Sequence, residues 1–156
     1  MAANDDTPPT DTAQRLAETV GRAMYARDHC ARAHGIELLE IGPGYARMGM
    51  VVRQDMVNGH DIGHGGMTFT LADTAFAYAC NAGNEVTVAQ ACNIVFLAPT
   101  RLGDVLTAEC REAHRKGRSG VYDVTVAKPD GTIVGLFRGH SARLKGEVVP
   151  PEELPS

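Results

Sequence analysis

The chain has 156 residues, of which 44% are hydrophobic and 22% are charged. This length and balance are typical of one globular domain that buries its own core. Fifteen lysines and arginines against nineteen aspartates and glutamates give a net charge of -4. General nucleic-acid binding requires a broad positive surface, so this charge argues against a nucleic-acid-binding protein.

The cysteines and the apolar segments indicate the compartment. No two of the four cysteines form a CxxC pair, which argues against a zinc ribbon or a thioredoxin-like motif. The acidic, proline-containing start lacks the basic and apolar regions of a secretory signal. The longest apolar stretch, about residues 65–82, contains Asp73 and is too short to span a bilayer. We therefore expect a reduced, cytoplasmic protein that does not associate with membranes.

The two ends of the chain differ in composition from its centre. Residues 1–11 and 147–156 are polar or proline-rich, and we expect both to be flexible tails. No internal repeat or linker divides the sequence between them. The sequence therefore predicts one domain, at residues 12–146.

The first part of this domain predicts a helix and then a hairpin. Apolar spacing over residues 11–34 predicts a helix, and Gly35 is a suitable place for it to end. Two strands are predicted on either side of a glycine–proline–glycine turn, at residues 36–41 and 45–52.

The second part predicts one buried helix and a strand meander. The helix begins at Gly65 and ends near Asn81, and its apolar residues are spread around nearly all sides, as in a buried helix. The predicted strands are 86–97, 105–113, 120–127 and 132–144. This order predicts an α+β domain in which an antiparallel sheet wraps a long central helix.

Asp73 is the most informative residue of the sequence. It is the only charged residue between Asp61 and Glu85, and it lies in the middle of the apolar helix. Burying an unpaired carboxylate costs several kcal/mol or raises its pKa. Asp73 is therefore either a structural acid paired with a distant arginine or a functional acid.

The start of the same helix is the second candidate feature. The first N–H groups of a helix have no internal partner, and glycines such as Gly65 and Gly66 let a substrate approach them closely. Such N–H groups can stabilise an oxyanion, although a glycine pair also occurs in ordinary tight turns. Gly65 and Asp73 are separated by about 12 Å of helix rise. If both act on one carbonyl, the two groups come from two chains, which predicts a dimer with sites at its interface.

The segment 58–81, NGHDIGHGGMTFTLADTAFAYACN, resembles the hotdog-fold acyl-CoA thioesterases of the phenylacetic acid degradation type. Segments 96–104, 115–124 and 136–144 are also similar to that family. The resemblance covers about residues 20–145. It implies a hotdog fold, homodimers that assemble into homotetramers, and hydrolysis of an acyl-CoA, with phenylacetyl-CoA or hydroxyphenylacetyl-CoA as the expected substrate.

The same resemblance implies roles for individual residues. Asp73 matches the acid that activates water or attacks the thioester, and Gly65 matches the backbone N–H that polarises its carbonyl. Asn58 matches a polar partner of the thioester or the water, and His64 matches a residue beside the thioester. Thr74 is the hydroxyl nearest to the acid in sequence.

The sequence departs from some family members near the acid. Where those members place a serine or threonine, this chain has Ala77 and Ala89. Thr68 and Thr70 are expected to bond back to the helix or to face a partner chain.

Several basic residues are candidates for contact with the CoA part of the substrate. They are Arg115, Lys116, Arg118 and Arg138. A local basic patch would help an acidic protein to hold the phosphates of CoA, although a solvated hairpin turn has the same composition.

We expect no metal and no cofactor, with CoA as part of the substrate. His60 and His64 are four residues apart, but glycines interrupt any helix between them and no third ligand is near in sequence. Two other functions stay open at this point: a hotdog dehydratase or hydratase that pairs His64 with Asp73 across chains, and a non-catalytic acyl-CoA-binding module.

Overall fold

The computed structural model describes residues 9–154. The helices are α1 (Asp11–Arg27), α2 (His29–Ala33) and α3 (Gly65–Asn81). The strands are β1 (Glu37–Gly42), β2 (Tyr45–Val51), β3 (Glu85–Phe96), β4 (Val105–Lys116), β5 (Ser119–Ala127) and β6 (Ile133–Glu147). Two short 3-10 helices cover Gln54–Met56 and Pro151–Glu153.

All six strands form one antiparallel sheet in the order β1-β2-β4-β5-β6-β3. Helix α3 packs against one face of this sheet and contacts every strand. The predicted arrangement, a long helix wrapped by an antiparallel sheet, is confirmed. In the part of the chain that is described, no helix is long and apolar enough to cross a membrane.

Aromatic packing fixes α3 against the sheet. The Phe76 ring lies 5.5 Å from that of Tyr122 on β5 and 5.9 Å from that of Phe137 on β6, measured between centroids. Gly139 of β6 leaves the space that Phe76 occupies, because a Cβ at this glycine would lie 2.7 Å from the ring. Such close packing holds α3 in a fixed position on the sheet.

The predicted helix over residues 11–34 is two helices, with a break at Asp28. The Asp28 backbone leaves the helical region, and its side chain accepts a hydrogen bond from the Ala31 N–H at 2.9 Å, which caps α2. The second carboxylate oxygen of Asp28 accepts a hydrogen bond from the Tyr78 hydroxyl of α3 at 3.1 Å. The apolar spacing continues across the break, so the local pattern did not reveal it.

Part of the C-terminal segment is anchored to the domain. Within the predicted flexible tail of residues 147–156, Glu147 ends β6 and Val148 and Val149 lie against the domain, whereas residues 150–153 are exposed. Val149 is buried, its N–H donates to Asn84 Oδ1 at 2.8 Å, and its carbonyl accepts from Asn84 Nδ2 at 2.9 Å. These two bonds and the buried valine anchor the segment at the C-terminal end of α3. Residues 1–8 of the predicted N-terminal tail lie outside the described residues.

Strand β3 is the opposite edge of the sheet from β1, and it is long and poorly covered. It has twelve residues and pairs only with β6 among the described strands. Val95 and Phe96 are 51% and 52% exposed. A long apolar edge strand of this kind is a ready surface for pairing with another strand.

Candidate active site

The N-terminal end of α3 presents an unpaired backbone donor. His64 is the N-cap, and its Nδ1 accepts a hydrogen bond from the Gly66 N–H at 2.9 Å. The His64 N–H itself donates to the Met56 carbonyl at 2.7 Å. Within residues 9–154 no acceptor takes the Gly65 N–H, which leaves it available to a ligand at the positive end of the helix dipole.

Gly65 is covered by the ring of Phe96 from β3. A Cβ at Gly65 would lie 2.9 Å from Phe96 Cζ, so a side chain at this position would displace the ring. Because glycine has no side chain, the Phe96 ring can lie directly beside the free Gly65 N–H. An oxyanion donor next to an apolar wall is stronger than one surrounded by water.

Asn58 holds the loop in front of this helix. Its Oδ1 accepts hydrogen bonds from the N–H groups of His60 at 2.9 Å and Ile62 at 3.2 Å. Because the oxygen accepts within the loop and no residue in 9–154 accepts from the side-chain NH₂, that NH₂ is available as a donor. Asn58 and Gly65 line the same cavity of about 470 Å³, together with Phe96.

Asp73 lies half-buried in the middle of α3, outside that cavity. Burial raises the pKa of its carboxyl group above the ordinary value. No arginine or lysine within residues 9–154 forms an ion pair with it, and none of the hydrogen bonds there involves its side chain. The alternative of a structural acid paired with a distant arginine is therefore not supported by the described residues.

The surroundings of Asp73 contain two neutral thiols. Burial raises the pKa of Cys80 to about 12, and the nearby Asp73 charge adds to that shift. Burial, followed by the Asp73 charge, also raises the pKa of Cys92 on β3. Both thiols stay protonated at neutral pH, so neither is a competing thiolate nucleophile.

The Thr74 hydroxyl donates to the Thr70 carbonyl at 2.7 Å, so its proton is used within the helix.

Gly65 and Asp73 thus lie on different parts of α3, about 12 Å apart along its axis. The helix therefore carries an unpaired donor and an unpaired acid that are well separated.

A family model described as thioesterase superfamily matches residues 60–134. The chain is 46% identical to acyl-coenzyme A thioesterase PaaI of Escherichia coli, over 81% of this chain and 90% of that protein.

This chain belongs to the thioesterase superfamily. The solved structure of the E. coli PaaI protein from the phenylacetic acid degradation operon superimposes with a TM-score of 0.85 at 44% identity, covering 86% of this chain and 98% of that one. A phenylacetic acid degradation protein PaaI from Thermus thermophilus, in a mutant form, superimposes with a TM-score of 0.72 at 34% identity, covering 75% and 100%. The predicted hotdog fold and family are confirmed.

The basic residues predicted to hold CoA lie away from the cavity of this thioesterase. Arg115 pairs with Glu85 at 3.0 Å, and Arg138 pairs with Asp123 through two bonds of 2.6 and 2.7 Å. The Arg118 guanidinium donates to the Arg143 carbonyl at 3.2 and 3.1 Å. Arg115 lines a separate cavity of about 220 Å³ at the C-terminal end of α3. Lys116 is exposed at the end of β4. CoA binding by these four residues stays a prediction.

The remaining residues singled out in the sequence add no further chemistry near the acid. Ala77 lies half-buried one turn after Asp73 on α3, and Ala89 is exposed on β3. His60 is exposed in the loop that Asn58 holds. In the described part of the chain, no three histidine, cysteine, aspartate or glutamate side chains are grouped as metal ligands.

Sequence reasoning did not assign three of the cavity residues to the site. Thr68, Thr100 and Phe96 all line the cavity with Gly65. Thr68 is three residues after Gly65, and this helical spacing could have revealed it. Thr100 follows β3, and only the tertiary fold brings it to the start of α3. Of the threonines expected to bond back to the helix, Thr70 does so, donating to the Gly66 carbonyl at 2.8 Å.

Proposed function

We propose that this thioesterase hydrolyses acyl-CoA thioesters at sites built by two copies of the chain. The observation that carries the proposal is the separation of Gly65 from Asp73 on one helix. One chain would supply the Gly65 N–H and the Asn58 amide, and a second chain would supply the Asp73 carboxylate. A reacting carbonyl must lie within about 3 Å of its oxyanion donor and of the base or its water, which favours two chains over one.

The exposed edge strand supports such a dimer. Pairing β3 with β3 of a second copy would satisfy its free edge and cover Val95 and Phe96. It would also extend the sheet and bring the two α3 helices side by side, with the half-buried Asp73 of each facing the other copy. Family resemblance adds two further parts to the proposal: a homotetramer of two such dimers, and a cytoplasmic location.

The chemistry follows from the two unpaired groups. In one route the Asp73 carboxylate takes a proton from water, whose oxygen attacks the thioester carbon. The raised pKa of Asp73 makes it a stronger base. The Gly65 N–H stabilises the oxyanion, and its collapse breaks the C–S bond and releases CoA thiolate, which takes up a proton. In the other route an Asp73 carboxylate oxygen attacks the carbon itself and expels CoA thiolate, which takes up a proton. Water then hydrolyses the resulting anhydride to the free acid and the regenerated Asp73 carboxylate.

His64 has a defined place in this scheme. Its Nδ1 accepts from the Gly66 N–H, so the neutral imidazole carries its proton on Nε2. The Nε2–H can donate to the leaving sulfur as the C–S bond breaks. Hydrolysis by water requires neither a metal nor a redox cofactor, and CoA is part of the substrate.

We expect phenylacetyl-CoA or hydroxyphenylacetyl-CoA to be the preferred substrate. The support is the 46% identity to a protein named acyl-coenzyme A thioesterase PaaI and the apolar wall that Phe96 gives the cavity. We propose that the CoA phosphates contact Arg115, Lys116, Arg118 and Arg138. On binding, the three arginines would give up their present bonds within the chain.

The test is release of free thiol from a panel of esters: phenylacetyl-, hydroxyphenylacetyl-, benzoyl-, acetyl- and octanoyl-CoA. The wild type should prefer an arylacetyl ester. Asp73→Asn is assayed beside the wild type, and Asp130→Asn is its matched control. The Asp130 carboxylate lies in the turn between β5 and β6, and an amide can keep its bond to the Thr132 N–H. An enzyme that releases no thiol from any ester would contradict the proposal, and consumption of an enoyl-CoA without thiol release would favour a hydratase.

A further inference from the structure

Two threonine side chains of the Gly65 cavity are buried without hydrogen-bond partners. Thr68 on α3 and Thr100 in the loop after β3 are each only 3% exposed. Neither hydroxyl forms a hydrogen bond with any residue in 9–154, whereas the hydroxyls of Thr70 and Thr74 on the same helix donate to backbone carbonyls. A buried hydroxyl without a partner costs free energy, so such groups in a native protein call for an explanation.

The two hydroxyls are accessible at the cavity wall. Both residues line the cavity, as do Phe96 and Val134. In the described residues Arg47 Nε is the only fully enclosed side-chain nitrogen or oxygen without a hydrogen-bond partner, and it lies 3.1 Å from Glu40 Oε2 in an ion pair. Neither threonine oxygen is therefore fully enclosed, and the open space that both residues line is the cavity that Gly65 also lines.

The surrounding backbone holds Thr100 in this position. The Gly63 N–H donates to the Thr100 carbonyl at 2.9 Å, and Arg101 Nη1 donates to the Asp61 carbonyl at 3.1 Å. A Cβ at Gly63 would overlap the Thr100 hydroxyl, so glycine at this position makes room for the side chain. The loop that carries Asn58 and the loop that carries Thr100 thus form one fixed wall.

We propose that the hydroxyls of Thr68 and Thr100 form a hydrogen-bonding subsite for a hydroxyl or amide group of the bound acyl-CoA. They act as specificity-determining residues beside the oxyanion donor. This inference rests on the proposed function, because the ligand is the thioester substrate. Two parts of that ligand carry the required chemistry: a hydroxyl on the ring of an arylacetyl group, and the amides of the pantetheine arm.

The experiment compares the wild type with Thr68→Val, Thr100→Val and the double variant. Valine keeps the branched shape and removes only the hydroxyl. Thr125→Val, on the exposed face of β5, is the matched control. kcat/KM is measured for phenylacetyl-, 3-hydroxyphenylacetyl-, 4-hydroxyphenylacetyl- and acetyl-CoA. Loss of one neutral hydrogen bond should lower kcat/KM about threefold to tenfold. Thr68→Ser and Thr100→Ser should restore it.

The pattern of losses identifies the bound group. A loss confined to the hydroxylated esters assigns the subsite to the acyl ring, and an equal loss for every ester including acetyl-CoA assigns it to pantetheine. The midpoint of urea unfolding should stay or rise in each valine variant, because the removed hydroxyl has no partner in the free protein. Unchanged kcat/KM for all esters would overturn the subsite, and a fall in the midpoint as well would make the two hydroxyls structural groups.

Failure of the proposed function has a different signature. If the wild type hydrolyses no ester, the enzyme assignment fails, and the subsite is judged by calorimetric titration of wild type and Thr68→Val with 4-hydroxyphenylacetyl-CoA and with CoA. Weaker binding of either ligand by the variant supports the subsite. Equal binding of both, or no binding by the wild type, contradicts it.

Discussion

The two ends of helix α3 use buried polar groups in opposite ways. At the C-terminal end, Asn81 exchanges two hydrogen bonds of 2.9 Å with the Thr87 backbone, and Asn84 does the same with the Val149 backbone. At the N-terminal end, the Gly65 N–H has no partner among the described residues. The satisfied end supports the fold, and the unsatisfied end is prepared to receive a ligand.

The difference follows from how the chain arrives at each end. The C-terminal end is closed by chain segments that return from β3 and β6, so asparagine amides meet backbone groups there. The N-terminal end is approached by the loop of residues 57–64, in which the Asn58 side-chain oxygen accepts from two backbone N–H groups. Among the described residues no acceptor takes the Gly65 N–H, which leaves this end of the helix open to a ligand.

The largest expected effect concerns the acid that completes the site. Asp73→Asn keeps the size of the side chain and removes its ability to accept a proton or attack carbon. We predict that kcat for thiol release falls by about 10³-fold or more, by analogy with loss of an acid–base or nucleophilic group. Circular dichroism and oligomer size should match the wild type. Full activity in this variant would make Asp73 a structural residue.

The next effect concerns the oxyanion donor. Gly65→Pro removes the N–H at the first helical position, where proline is compatible with helix geometry. Loss of one oxyanion donor should lower kcat by about 10²- to 10³-fold. Because a Cβ here would meet Phe96, the variant is assayed in a Phe96→Leu background, with Phe96→Leu alone as its control. Equal rates for these two proteins would exclude the Gly65 N–H from catalysis.

A substitution at the C-terminal end of α3 should lower the stability of the protein and leave catalysis nearly unchanged. Asn84→Ala removes two buried hydrogen bonds and places alanine at a positive φ of 67°. We predict a loss of about 2–4 kcal/mol in the free energy of unfolding by urea, with kcat of the folded protein nearly unchanged. Asn84→Gly relieves the backbone strain and should recover part of the loss. A large fall in kcat at full folding would show that the two ends are coupled.

The smallest expected effect is a pH dependence of stability from Asp73. Its folded-state pKa is raised by burial, so the folded state favours the protonated carboxyl. That stabilisation is complete below the ordinary carboxyl pKa of about 4 and is lost as pH rises through the folded pKa. Asp73→Asn should therefore gain stability over the wild type at pH 7, and the gain should shrink on acidification. A constant difference between pH 7 and pH 4 would contradict the shift.

Much of the fold could be predicted because it depends on local patterns. Helix α3 was predicted to begin at Gly65 and to end near Asn81, and it does, since glycines flank a continuous apolar segment. The break at Asp28 was missed because it depends on a contact with Tyr78, fifty residues away. The anchoring of Val149 could not be predicted from the proline-rich C-terminal segment, because its partner, Asn84, lies 65 residues earlier in the sequence.

The candidate site was predictable only in part, for the same physical reason. Asp73 was visible because a lone charge in an apolar helix is unusual. The ion pairs of Arg115 and Arg138 join residues 30 and 15 positions apart, so a basic cluster in the sequence became a set of paired surface groups. Thr100 reaches the cavity through the tertiary fold alone, and no local spacing indicates it.

The most direct test of the two-chain site mixes two inactive proteins. One chain carries Asp73→Asn and the other carries Gly65→Pro with Phe96→Leu, each with a different affinity tag so that mixed dimers can be isolated. A mixed dimer should contain one site with both defects and one intact donor–acid pair. Gly65 and Phe96 of the intact pair both come from the Asp73→Asn chain, so Phe96→Leu lies beside the defective donor. We predict that an equal mixture recovers about a quarter of the wild-type activity, since half the dimers are mixed and half their sites are intact. Isolated mixed dimers without activity would place both groups outside a shared site.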